Sequence, residues 1–421
     1  MNILVLGNGA REHSICWALK KSEDCKLLYC IPGNAGISDI AKCENINLNK
    51  KKELLEFCQS KNIDLVIIGP EQYLENGISD YLTSKNIKVF GPSQKAAKLE
   101  TSKSFAKKFL IRNKINTAKY KEFISFESAK KYISLSKYPL VIKVDGLAAG
   151  KGVLICKNKL EAEDALNLIM KKKKFGSSGR KIIIEEFLEG FEVSYFAFFD
   201  KNNFTSLGYA LDHKRAYDND NGPNTGGMGC FLPSSKITKK VEDDIHKKIL
   251  LPTSKGFKKE KLVYRGILFV GLMITTKGPY VIEYNVRFGD PECQILLRNL
   301  KTDFLKIINL NIEDKLEDIT LLSDKMSVVC VVLASDGYPG EFKKNKILEN
   351  LSKAQSIKGV EIFHAGTTKI NGKIFSSGGR VLSITSKANS IDSARKLAYK
   401  ALRIINWKWG HFRNDIGIKN T

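Results

Sequence analysis

A membrane span, a disulfide framework and a zinc module are what this chain of 421 residues most plainly lacks. No apolar run approaches the roughly 18 residues that a spanning helix needs. The nine cysteines are an odd number and include no Cys-x-x-Cys pair, so neither a bridged scaffold nor a zinc ribbon is supported. Internal repeats and disordered low-complexity stretches are missing too. Acidic residues are in short supply, with 45 Asp and Glu against 69 Lys and Arg, a formal net charge of +24. Such an excess suits nucleic acid, an anionic membrane surface or phosphorylated small molecules. Aromatic residues do not interleave with the basic runs, which disfavours a stacking platform for single strands, and Lys171 to Lys174 reads as a solvated helix end or loop. Phosphorylated small molecules fit best, with no nucleic acid and no membrane as partner. A soluble protein of a reducing, cytoplasmic compartment is expected.

What is present is an alternation of strands and helices over the first hundred residues, on a chain long enough for roughly two to four domains. Strands are expected at 3–6, 26–30, 65–68 and 88–90, with helices at 11–21, 51–60 and 78–86. This pattern predicts a parallel sheet covered by helices, with a ligand crevice beyond the strand C-termini. Three Gly-containing turns, at Gly7-Asn8-Gly9, Ile31 to Gly36 and Gly69-Pro70-Glu71, fall on that rim. A compact unit with a glycine-rich, mobile middle follows at about 120–190, then a larger body to about 325. After Lys325 the pattern resets into strands and a final helix at 390–404.

The most informative segment is Val281 to Glu292. A strand alternates faces, so Glu283, Asn285 and Arg287 aim in one direction before the turn Phe288-Gly289-Asp290-Pro291. Hard oxygen ligands suit Mg²⁺ carried with phosphates, and a neighbouring Arg suits a transferring phosphoryl group. The alternative is a solvated edge strand. Gly7-Asn8-Gly9-Ala10-Arg11-Glu12 resembles a dinucleotide fingerprint, but Glu12 replaces the third glycine and no acid closes the second strand. A phosphate pocket is expected there rather than a nicotinamide site. Gly146 to Gly152 fails as a P-loop, since one spacer is missing and Gly152 stands where Ser or Thr should be. Two strands joined by a glycine-rich hairpin suggest instead a flap laying N–H groups and Lys151 over a triphosphate, with Lys143 opposite. Lys143 as a gatekeeper on an edge strand is the competing reading. The acids around Glu185 and Glu192 flank Phe187-Leu188, whose backbone could read a purine edge, or they simply end a strand. The segment Asp212 to Gly229 is too long and polar for a connector and fits a substrate bearing both an amine and a phosphate. His213, the one histidine in that cluster, reads as a scaffold residue before a general base.

In order, these segments resemble the phosphoribosylamine–glycine ligases, an ATP-grasp family of purine biosynthesis, over essentially the whole chain from Gly7 to Gly417. Four segments carry the resemblance: Lys143 to Val153, Asp212-His213-Lys214-Arg215, Gly222 to Gly229, and Arg287 to Glu292. The resemblance implies an α/β (α+β overall) fold. An N-terminal parallel-sheet domain would span 1–101, an ATP-grasp body with a small flap 102–325, and a C-terminal mixed α/β domain 326–421. It implies that ATP, glycine and 5-phosphoribosylamine give glycinamide ribonucleotide, ADP and phosphate through glycyl phosphate. Glu283 and Asn285 would hold Mg²⁺ or Mn²⁺, with Arg287 and Lys143 catalytic. ATP would meet Lys103, Lys143, Gly146, Gly150, Lys151, Gly152, Glu185, Glu186, Phe187, Leu188 and Glu192. The other substrates would meet Asn8, Gly9, Glu71, Asp212, Lys214, Arg215, Asn224, Thr225, Gly226, Gly227 and Arg287. A second metal ion lacks its usual acid, because Gly271-Leu272-Met273-Ile274 offers none. The stand-alone, monomeric form is expected. An ATP-grasp ligase for another small acid and a nucleic-acid binder are the rival readings.

Overall fold

Five parallel strands open the structure, a computed structural model that describes residues 1–148 and 152–418. Their spatial order is Lys42–Cys43, Leu27–Pro32, Asn2–Gly7, Leu65–Ile68 and Lys88–Phe90. Ile3 to Leu6 and Leu65 to Ile68 are buried on both faces, as continuous apolar runs in a helix-covered parallel sheet should be. The alternation predicts four of these strands. The fifth, Lys42–Cys43, is too short and polar to show in sequence.

Helices Gln94–Thr101 and Lys103–Arg112, capped by Ser93 and Ser102, lead out of this sheet. A small antiparallel sheet follows in the order Tyr120–Phe123, Ile182–Glu186, Leu140–Val144 and Val153–Cys156. Leu140–Val144 therefore has neighbours on both sides, and the reading of Lys143 as an edge gatekeeper is corrected. The small sheet has its own core of Ile133, Ile142, Ile169 and Ile184.

The largest sheet has nine strands. Its path runs Gly278–Asn285, Gly266–Thr275, Phe191–Phe199, Phe204–Asp212, Gly229–Leu232, Ser327–Ser335, Arg380–Ala388 and Val360–His364, with Gly410–His411 paired to Ser327–Ser335. Gly229–Leu232 pairs directly with Ser327–Ser335, so the body continues into the C-terminal region through backbone hydrogen bonds. The final helix, Ile391–Ile405, is capped by Ser390 and packs Ala394, Ala398, Ala401 and Leu402 inward. No helix of the described residues is long and apolar enough to cross a membrane.

One expectation changes in kind. The segment from Asp212 to Gly229 is not irregular throughout: Arg215–Tyr217 and Asn221–Asn224 form a two-stranded ribbon, turned by Asn219 and Asp220 at φ +58° and +55°. Asn and Asp tolerate that left-handed region better than most residues.

Candidate active site

The strand Gly278–Asn285 ends at Asn285, and the chain turns so that three polar side chains meet. Asn285 Nδ2 donates to Glu283 Oε1 at 3.3 Å, and Arg287 Nη2 donates to Asn285 Oδ1 at 3.4 Å. The convergence expected from strand alternation is present, although Arg287 lies just past the strand. Lys103 Nζ sits 2.7 Å from Glu283 Oε2. Burial alone would raise the Glu283 carboxyl, but Lys103, with Lys143 and Lys214, outweighs it and holds the group well below the usual carboxylate range.

Beside this strand lies a buried charge triad. Glu185 takes Lys107 at 3.0 Å and Lys143 at 3.1 Å, with all three side chains at most 4% exposed. Lys143 Nζ also donates to Ile282 O at 3.2 Å, tying the small sheet to the strand that carries Glu283. Two ammonium groups share one carboxylate, which leaves a local surplus of positive charge. Buried charge of that kind calls for a partner anion. Lys107 was not singled out in sequence, yet it stands four residues after Lys103 on one helix, which puts both on one face. Burial lowers its amine to about 8, with Glu185 working the other way.

Arg287 is gripped from two sides, by Glu71 Oε2 at 3.1 Å and Glu100 Oε1 at 2.7 Å. Burial works against its charge, but Glu100 and Glu71 keep it firmly protonated. Glu71 would be raised by burial, yet Arg287 and Arg11 bring it down to about 2. Glu100 goes the other way: burial raises it to about 7 despite Arg287. Glu100 Oε2 also accepts from Val286 N at 2.8 Å. Sequence reasoning missed Glu100 because nothing in its helix distinguishes it from a solvated acid.

The other residues expected to meet ATP bracket the triad. Glu186 faces outward and accepts from Lys119 N at 2.9 Å, while Phe187 and Leu188 are half-buried in the link between the small and large sheets. Glu192, half-exposed, pairs with Lys214 at 2.7 Å, and that ammonium, ahead of burial, lowers its carboxyl. A Cβ on Gly146 would lie 2.4 Å from Ser178 Oγ, and one on Gly152 would lie 2.4 Å from Val144 Cγ2. Gly150 and Lys151 lie outside the described residues.

At the glycine-rich rim an anion does occupy the helix N-terminus, but it is the chain's own. Gly9 N donates to Glu12 Oε2 at 2.7 Å, and Arg11 Nε donates to Glu12 Oε1 at 2.6 Å. Cβ atoms on Gly7 and Gly69 would fall 2.5 and 2.0 Å from Glu12 atoms. Glu12 thus takes one N–H of the turn where a phosphate pocket was expected. Asn8 stays exposed, its carbonyl accepting from Asn34 Nδ2 at 2.9 Å.

On the ribbon, Thr225 N and Oγ1 both donate to Lys214 O at 2.8 Å, and Arg215 Nη1 donates to Gly222 O at 2.9 Å, with Asn224 paired to Arg215. Burial raises the Asp212 carboxyl, with Glu292 adding to it, and burial raises Glu292 likewise. Asp212 Oδ1 is buried without a hydrogen-bond partner among the described residues. Gly226 and Gly227 present carbonyls to Arg380 Nη1 at 2.8 and 3.3 Å. Arg380 and Glu292 were also missed, because their roles depend on distant partners.

No group of three or more His, Cys, Asp or Glu that could hold a metal occurs among the described residues. One carboxylate and one amide oxygen, from Glu283 and Asn285, are nonetheless the donor set of a Mg²⁺-type ion that takes its remaining ligands from phosphates and water. To offer its oxygen beside Glu283, the Asn285 amide would turn over and give up its contact with Arg287, which a cation between the two oxygens would offset.

Comparison with known proteins gives the family. Three family models cover the chain: the N domain of phosphoribosylglycinamide synthetase at 1–100, its ATP-grasp (A) domain at 101–293 and its C domain at 328–419. A phosphoribosylamine–glycine ligase of Caldanaerobacter subterraneus subsp. tengcongensis is 45% identical over 416 residues, 99% of each chain. The crystal structure of the Thermotoga maritima phosphoribosylamine–glycine ligase superposes with a TM-score of 0.87 at 32% identity, covering 99% of this chain and 100% of that one. The biotin carboxylase domain of the Hydrogenobacter thermophilus 2-oxoglutarate carboxylase shares the fold alone, with a TM-score of 0.74 at 16% identity over 98% of this chain and 91% of that one. The chain therefore belongs to the phosphoribosylamine–glycine ligase family, ATP-grasp enzymes that ligate glycine to phosphoribosylamine in purine biosynthesis.

Proposed function

We propose that this chain makes glycinamide ribonucleotide through glycyl phosphate, with the residues around Glu283 performing both steps. The observation that carries this reading is the buried Lys107–Glu185–Lys143 triad against the strand that presents Glu283 and Asn285. Its surplus positive charge suits a triphosphate. A glycine carboxylate is a poor electrophile, so ATP first phosphorylates it and the ribosylamine nitrogen then displaces phosphate. No enzyme nucleophile is required. Lys103 and Lys143 hold phosphate oxygens, and Arg287, kept rigid by Glu71 and Glu100, faces the charge that develops on the acyl phosphate and on the tetrahedral species after it. Glu283 and Asn285 would hold Mg²⁺ or Mn²⁺, which supplies neutralisation of the phosphates when bound. Gly146 and Gly152 lie against the nucleotide phosphates, Glu185 and Glu186 lead into the Phe187–Leu188 link that reads its base, and Glu192 takes the ribose.

Phosphoribosylamine enters between Asn8, Gly9 and Glu71 on one side and the ribbon residues Asp212, Lys214, Arg215, Asn224, Thr225, Gly226 and Gly227 on the other. The unpartnered Asp212 Oδ1 supports an amine at that end. The working form is a cytoplasmic monomer without nucleic-acid partners, with domains at 1–101, 102–325 and 326–421.

The test is a coupled ADP-release assay with freshly made phosphoribosylamine, glycine and ATP. Turnover should need all three, and Glu283→Ala should lower it roughly a hundredfold or more without loss of fold. Turnover that survives omission of glycine, or an unimpaired variant, refutes the assignment.

A further inference from the structure

The motif Arg413-Asn414-Asp415 near the C-terminus has no part in the chemistry above, yet it is heavily engaged. Arg413 is fully buried. Its Nε and Nη2 donate to the two Asp415 oxygens at 2.7 and 2.6 Å, and its Nη1 donates to Asp220 Oδ1 at 2.9 Å and to Arg215 O at 3.1 Å. Asn414 N and Nδ2 donate to the Asp218 carboxylate at 2.7 and 3.1 Å, and Asn219 N donates to Asp415 Oδ2 at 2.9 Å. The tip of the ribbon, Asp218 to Asp220, is thus held by three consecutive residues almost two hundred positions away. The motif is itself anchored to the final helix, because Tyr399 OH donates to Arg413 O at 2.7 Å and Arg395 Nε to Ile416 O at 2.6 Å. At the ribbon's other end Arg380 grips Gly226 O and Gly227 O, and Gly226 N donates to Tyr338 OH at 3.1 Å.

A two-stranded ribbon of three and four residues is marginal in isolation. Its order must come from these outside bonds. Arg413 takes the carbonyl of Arg215 itself, so it sets the backbone from which Lys214 and Arg215 project. We propose that Arg413, Asn414 and Asp415, with Arg380, are positioning residues that fix the ribbon for phosphoribosylamine. This inference rests on the reading that the ribbon receives that substrate. The C-terminal region thereby contributes to substrate affinity without touching ATP.

Because Arg413 is buried and its loss could unfold the chain, the test uses the exposed Asn414→Ala and the partly buried Asp218→Asn, singly and together, in the full chain. Steady-state kinetics for each substrate are paired with amide hydrogen exchange over residues 215–224. The expected result is a KM for phosphoribosylamine raised roughly tenfold, equal to ~1.4 kcal/mol, with ATP and glycine KM unmoved. Exchange in the ribbon should accelerate, and the double variant should be no worse than either single one. Unchanged exchange would overturn the positioning role. Faster exchange with all three KM values unchanged would leave the clamp intact and instead overturn the reading that the ribbon binds phosphoribosylamine.

Discussion

Glu185 is the residue on which the proposed nucleotide side turns, because one carboxylate compensates two ammonium groups that water hardly reaches. Replacing it with Gln keeps shape and polarity but removes the only acid bridging them among the described residues. Glu185→Gln should destabilise the fold by about 3–5 kcal/mol, the usual consequence of stripping one partner from buried charge. Urea denaturation of both forms measures this. Recovery of part of the loss on adding ATP would show that nucleotide phosphates supply the missing negative charge, as the surplus on Lys107 and Lys143 requires. Lys143 was legible at this scale because it precedes a glycine run. Glu100 and Lys107 were not, since a charge on a helix shows nothing of what it will face until neighbouring elements close over it.

At the scale of elements, a strand that presents Glu283 and Asn285 and the turn at Phe288 to Pro291 followed from alternation and turn chemistry, although the strand stops at Asn285 rather than running on through Arg287. The first βα turn shows the limit of such reading. Its glycines suggested a phosphate but not that Gly7, at φ +130°, also gives room to the Glu12 side chain. Gly7→Ala would place a methyl 2.5 Å from Glu12 Cγ in a backbone region hostile to L residues. It should cost about 2–3 kcal/mol and lower Tm by several degrees in a thermal scan. A Tm equal to that of the parent would mean that Glu12 relaxes freely. The ribbon inside 212–229 was illegible for a related reason. Its short polar strands carry no hydrophobic period and exist because Arg413 and Arg380 hold them.

At the scale of the molecule, the N-terminal sheet and the C-terminal region meet through two buried histidines. His364 N donates to His13 Nδ1 at 2.8 Å, so His13 must be neutral with that nitrogen unprotonated. Burial, with His364 adding to it, lowers His13 to about 3, and burial lowers His364 to about 4, the pull of Asp39 being offset by Lys369. Between these values and the ordinary 6.5, the unfolded chain binds protons that the folded chain refuses. Their contribution to stability is whole above pH 6.5 and falls as pH drops through that window. Glu100 and Asp212, raised by burial, act oppositely over part of the same range. The informative quantity is therefore the difference between the parent and His13→Gln. Denaturant midpoints from pH 7 to 4.5 should fall more steeply in the parent, and parallel curves would exclude the histidine pair as the cause.

Sequence by itself determined the main periodic elements, the parallel N-terminal sheet and the side chains that a strand end delivers to one spot, because these depend on local geometry repeated along the chain. Tertiary structure alone decided which charges became partners: Lys107 with Glu185, Arg287 with Glu100, Arg413 with Asp220. Those pairings depend on distances between residues far apart in sequence and on the exclusion of water once the sheets close, and neither quantity exists until the chain is folded.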